Sequence, residues 1–216
     1  PSELMKIALI LFLAKYYHRI STNDVNKLKF LFLPVVALVS PVLLVITQPD
    51  LGTSILIAIG GVTVAWLAGV RIKFFTYSLI LFISLMPIAI SFLKPYQKSR
   101  ILTFLNPERD PLGAGYQIIQ SKIAIGSGGL FGKGFLNGSQ SYLDYLPEKH
   151  TDFIFTLFSE EFGFFGSLFI LLLYALIISR VIRIGNMTRS NFGKLYCYSF
   201  ATAFFIYVVV NMMMVL

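Results

Sequence analysis

Charge is scarce in this sequence: Asp, Glu, Lys and Arg make up 13% of its 216 residues, whereas ordinary soluble domains carry about 25%. Residues of the AVILMFWYC set reach 56%, and mean hydropathy is +0.78. A soluble globule of this size keeps much of its surface in water and cannot hide so much apolar area. That excludes a soluble fold, and the chain reads as an integral membrane protein. Cysteine is nearly absent. Cys197 is the single one, which rules out an internal disulfide framework and a cysteine-based metal site. Histidine occurs only at His18 and His150, on opposite sides of the membrane in the topology below, so no histidine zinc site can form. There is no G-x-S-x-G elbow, and no Ser/His/Asp order stands out. A net charge of +8 with an isoelectric point near 9.6 would suggest nucleic acid in a soluble chain. Here no helix or aromatic-basic strand supports that, and the basic residues are assigned first to membrane loops.

What the sequence does have is long uncharged runs. A spanning helix needs about 20 mostly apolar residues to cross a hydrocarbon core of about 30 Å. Residues 51–70 carry no charge between Asp50 and Arg71, and 74–93 none between Lys73 and Lys94. The same holds for 30–46, 162–179 and 195–216. The opening segment is broken by Lys6 and Lys15, but Pro1 and Ser2 are helix-start residues and the apolar run continues to Tyr17. The expected fold is all-α: one polytopic transmembrane helix bundle with six spans, at about 2–18, 30–47, 51–70, 74–93, 153–180 and 195–216. The sequence opens without Met and stops inside an apolar run, so a piece of a longer protein is expected.

Connections are short except for residues 94–150, a 57-residue insertion rich in Gly, Pro, Ser and charge. Loops of that length are usually functional, and short or re-entrant helices are expected within it. The loops 15–29, 71–73 and 180–194 hold ten Lys/Arg against the single acid Asp24. The positive-inside rule puts them in the cytoplasm and the long loop outside.

Four groups of residues could carry chemistry. Asp152, in LPEKHTDFIF, stands where the long loop re-enters the membrane. It reads as a helix cap or, beside apolar walls with His150, Lys149, Glu148 and Asp144 nearby, as a carboxylate tuned for proton transfer. Glu3 and Lys6 share one helix face, either as a local ion pair of little worth or as functional charges at the edge of a span. The glycine-rich run AIGSGGLFGKGFLNGSQ (124–140) could cradle phosphate with its amides or supply tight turns; it is not a Walker A loop. The outer basic set Lys94, Lys98, Arg100, Arg109, Lys122 and Lys133 is a solvated rim or, in part, a site for an anionic diphosphate.

QPDLGT (48–53), PYQKSR (95–100), FLNPERDPLGAGYQIIQSKIAIGSGG (104–129), GKG (132–134) and LPEKHTDFIFTLFSEEFG (146–163), with the opening PSELMK, resemble the SEDS family. The likeness covers nearly the whole chain, and the AIGSGG and GKG wording is closer to its elongation branch than to its division branch. The resemblance implies a ten-helix protein of the bacterial cytoplasmic membrane, of which these spans are the fourth to ninth. It implies a glycosyltransferase that polymerises lipid II outside the membrane, in cell elongation and rod shape. It makes Asp152 the catalytic carboxylate. Arg100, Lys122 and Lys133 become candidates for the leaving diphosphate, and Gln120 and Ser121 for substrate positioning. Asp144 matches a position usually occupied by Glu, His150 belongs to the same motif beside the substrate, and Glu3 and Lys6 line the outer cavity. The implied partner is a class B penicillin-binding protein. A divalent cation (Mg2+ or Mn2+) would fit between Asp carboxylates and diphosphate, though no spacing demands one. The rival class is a flippase for the lipid-linked precursor, because intramembrane charge and discontinuous helices suit transporters too. A membrane scaffold would have no need of Asp152.

Overall fold

The structure, a computed structural model, describes residues 2–21, 24–48, 51–92, 114–138 and 153–215. These residues form seven helices: α1 (Ser2–His18), α2 (Leu28–Thr47), α3 (Leu51–Leu67), α4 (Ile72–Phe92), α5 (Ala114–Gly128), α6 (Ile154–Met187) and α7 (Asn191–Val215). No strand occurs among the described residues. The protein is a membrane helix bundle. Leu28–Thr47, Ile154–Met187 and Asn191–Met213 are long and apolar enough to cross a bilayer, and the apolar helices Gly52–Leu67 and Ile72–Leu85 are shorter. Large side chains such as Phe32, Leu44, Trp66 and Phe82 are well exposed. Such surface is a liability in water and the ordinary outside of a protein in lipid.

The chain divides into two compact units, Pro1–Leu81 with Leu176–Val208, and Phe82–Ala175 with Val209–Leu216. In the first, α3 packs against both α1 and α2. Its centre is the pair Gly60–Gly61. A Cβ on Gly61 would run into Leu38 and approach Leu13 at 3.3 Å and Leu9 at 3.4 Å, and one on Gly60 would sit 3.4 Å from Ile10. Bare backbone therefore lets both neighbours close in, as small residues do between membrane helices. Leu9, Ile10, Leu13, Ala14 and Tyr17 of α1 are buried with Ile57 and Val64, at the three-to-four spacing of one helix face.

α3 ends at Leu67, not at 70, because Gly69 takes a left-handed turn at φ 92°. Its N–H donates to Trp66 O (3.0 Å) and that of Val70 to Ala65 O (3.2 Å), the double closure of a Schellman cap. Asn26 then ties the neighbouring loop to this cap. Its Oδ1 accepts from Arg71 N at 2.7 Å and its Nδ2 donates to Gly69 O at 3.4 Å. The loops carrying Lys27 and Arg71 thus lie at one end of this unit. Pro34 and Pro41 sit inside α2, a substitution that membrane helices tolerate.

Candidate functional site

The second unit is built on a helix that breaks and a turn that repairs it. α6 is interrupted at Gly163, whose backbone stands at φ 68°, ψ −162°. In an unbroken helix the N–H groups of Phe164 and Phe165 would donate to the carbonyls of Glu160 and Glu161. The break strands those four groups, and stranded groups are costly where water is absent. The glycine-rich turn after α5 takes all four. Phe164 N donates to Gly129 O (2.9 Å) and Phe165 N to Leu130 O (3.2 Å), while Lys133 N donates to Glu160 O and Gly134 N to Glu161 O, both at 3.0 Å.

Only glycine permits so close a crossing. A Cβ on Gly132 would fall on the carbonyl of Glu161 and 2.6 Å from Phe162 Cα. One on Gly163 would meet Gly132 N and, at 2.7 Å, Leu130 O, and one on Gly128 would meet Ser159 O. Gly129, Gly132 and Gly134 adopt positive φ (57°, 81° and 95°), which side chains resist. The amides of Gly129, Gly132, Lys133 and Gly134 all donate to protein carbonyls. Tight turns, not a phosphate cradle, account for this part of the run.

One ion pair lies inside the crossing. Glu160 is 1% exposed in its side chain, and its Oε1 lies 2.7 Å from Lys133 Nζ. Ser127 Oγ sits 3.4 Å from the same oxygen and donates to Ala124 O at 2.8 Å. Lys133, expected among the diphosphate cations, is thus held by a buried carboxylate 27 positions further along the chain. Beside it, Ser159 Oγ donates to Phe155 O and Ser167 Oγ to Ser159 Oγ, each at 2.8 Å.

The other expected site residues are placed as follows. Ser121, on α5, is fully buried, with its Oγ 2.9 Å from both Ile118 O and Val215 O. Its hydroxyl faces protein carbonyls. Gln120 beside it is half-buried, and Lys122 is exposed. Glu3 and Lys6 pair at 2.7 Å in the first unit, where Lys6 Nζ also stands 4.7 Å over the ring of Tyr207. Asp152, Asp144, His150 and Arg100 lie outside the described residues; α6 starts at Ile154, two positions after Asp152. Among the described residues no group of three His, Cys, Asp or Glu side chains could hold a metal ion. The sequence reading missed Glu160. Its signal was available: two adjacent carboxylates, Glu160 and Glu161, within the expected span 153–180, where ionisable groups are rare.

The comparisons with known proteins agree with this architecture. Residues 1–216 match the family described as cell cycle protein, FtsW/RodA/SpoVE. The chain is 46% identical over 218 residues to the peptidoglycan glycosyltransferase MrdB of Escherichia coli strain K12, covering 100% of this chain and 58% of that relative. It is 39% identical over 213 residues to the stage V sporulation protein E of Bacillus subtilis strain 168, covering 98% of this chain and 57% of that relative. A solved structure described as "Structural coordination of polymerization and crosslinking by a peptidoglycan synthase complex" superposes with a TM-score of 0.76 at 29% identity, over 100% of this chain and 59% of that one. The chain therefore spans less than two thirds of the length of these relatives. A full-length match, together with the helical bundle, places the chain in the FtsW/RodA/SpoVE family.

Proposed function

We propose that this chain forms the catalytic part of a peptidoglycan glycosyltransferase that polymerises lipid II at the outer face of the bacterial cytoplasmic membrane. The observation that carries the reading is 46% identity over its whole length to a protein named for that activity, with the HTD sequence of residues 150–152 directly ahead of α6. In the transfer, the 4-hydroxyl of the acceptor sugar attacks the anomeric carbon of the donor. The C–O bond to the polyprenyl diphosphate breaks, and the hydroxyl proton must go to a base. Asp152 is the base in this reading, since a positioned carboxylate contributes about 10²–10⁴-fold. The departing diphosphate gathers negative charge and calls for fixed cations. Arg100 and Lys122 are assigned to it, and the exposure of Lys122 leaves its ammonium open to an anion. A class B penicillin-binding protein is the proposed partner, supported by the similar structure being that of a complex for polymerization and crosslinking.

The flippase reading finds less support. A broken helix in a transporter leaves backbone groups open for an ion or substrate, whereas the four groups freed at Gly163 are taken by the glycine turn. The deciding experiment uses the full-length protein carrying Asp152→Asn. Asn caps a helix about as well as Asp but cannot take a proton. Polymerisation of lipid II should fall by about 10²–10⁴-fold with lipid II still bound. Near-normal turnover would sink the assignment.

A further inference from the structure

Glu160 and Lys133 form a partly buried ion pair that the reaction chemistry does not use. Neither the helix break nor the glycine turn needs a charge to exist, because their four exchanged hydrogen bonds are all main-chain. Yet a Glu160 side chain 1% exposed and a Lys133 side chain 29% exposed meet at 2.7 Å, directly across the crossing. Burying such a pair in place of apolar side chains is often neutral or unfavourable for stability, and the best-attested return is a fixed register between the elements it joins.

We propose that the Glu160–Lys133 pair is a positioning element for glycosyl transfer: it locks the glycine-rich turn onto α6 and so fixes the aim of the helix segment Ile154–Phe162. The inference rests on the glycosyltransferase reading and on Asp152 as its base. Glu160 lies six residues into α6, so the lock sits about 9 Å from the start of the helix. With that lever, a tilt of about 6° moves the helix start by about 1 Å, and errors of that size cost about 10²-fold in rate. Gly163 interrupts the segment's continuity with the rest of α6, so its inner end is held largely through the glycine turn, by the main-chain bonds to Glu160 O and Glu161 O and by this ion pair. Lys133 is suited to the task by its own setting. It stands between Gly132 and Gly134, both at positive φ, and its main-chain N–H donates to the carbonyl of the residue whose side chain it pairs with. Backbone and side chain of one residue thus grip backbone and side chain of the other.

The test uses the full-length protein with lipid II, in wild-type form and as Glu160→Gln, Lys133→Met, the double variant of both, and Lys133→Arg. Turnover, KM for lipid II and the thermal midpoint are measured for each. A positioning pair predicts that kcat falls about tenfold to a hundredfold in both single variants and equally in the double variant, with KM unchanged. Lys133→Arg should recover most of the rate. The double variant removes both charges of the pair together, so it should melt near wild type while turnover stays low. If the singles do not fold, the double variant decides. Normal turnover in a folded double variant would overturn the proposal, as would its failure to fold, which would make the pair a folding element. A raised KM in Lys133→Met alone would instead return Lys133 to the diphosphate and also overturn it. An inactive wild type would refute the glycosyltransferase reading, a result distinct from any of these.

Discussion

Three glycines close together in the sequence separate three physical effects, and alanine at each should rank in an order the structure sets. Gly132→Ala is the severe case. Holding an L-residue at φ 81° costs about 1–2 kcal/mol. Its Cβ would meet main-chain atoms of Glu161 and Phe162, which cannot rotate aside as a side chain would. Relief requires the turn to lift from α6, loosening one or more of the four exchanged hydrogen bonds, each worth about 1–3 kcal/mol when left unmade in a buried site. With one such bond lost the sum is about 2–5 kcal/mol. Gly129→Ala meets nothing within 4 Å and pays only for φ 57°, about 1 kcal/mol, part of which Gly129→Asn should return. Gly126 lies inside α5 with open space around it, so Gly126→Ala should be neutral or gain up to about 1 kcal/mol from helix propensity. Thermal unfolding of the full-length protein in detergent reads the series. Equal midpoints for Gly132→Ala and Gly126→Ala would refute the close crossing. Equal losses at all three would assign the effect to glycine flexibility in general.

Other outcomes follow from single contacts. Ser121→Ala removes a hydroxyl that is turned to protein carbonyls; it should lower stability by about 1 kcal/mol and leave KM for lipid II unchanged, so a raised KM at an unchanged thermal midpoint would put Ser121 with the substrate instead. Asn26→Ala breaks the tie between two loops at Gly69 and Arg71 and should cost about 1–2 kcal/mol, measured as a lower midpoint with turnover intact. Impermeant labelling of single cysteines, after removal of Cys197, should reach positions 98, 133 and 150 from outside but not 27, 71 and 183. Labelling of position 27 from outside would reverse the orientation.

Much of the helical layout was legible because lipid rewards uncharged runs and the runs are long. The boundaries were less so, since hydropathy reports where apolar residues stop and not where hydrogen bonding stops. α6 continues to Met187, past Arg180 and Arg183, and α7 starts at Asn191, ahead of Lys194. Both extensions use charged residues that are good or neutral helix formers, so nothing ends the helix at the edge of the apolar run. α3 errs the other way. Its apolar run reaches Val70, but the left-handed Gly69 closes it at Leu67, a turn signal that hydropathy cannot register.

The glycine-rich run held two meanings that the sequence alone could not separate, because glycine serves a phosphate cradle and a close backbone crossing for one reason, the missing Cβ. What separates them is where the amides point. A cradle needs adjacent N–H groups left free for an anion, and here those of Gly132, Lys133 and Gly134 are committed to carbonyls at Gly128, Glu160 and Glu161. The same crossing gives Lys133 a protein partner that a reading based on charge alone does not see. A cation in an outer loop looks open to an anionic substrate unless its partner is known, and its partner stands 27 residues away in an apolar stretch. That partner carries the more informative charge. A lysine can lie at a wet surface at little cost, but a carboxylate inside a membrane span persists only where something compensates it. Glu160 therefore implies a cation brought to it, and the glycine turn supplies that cation as Lys133.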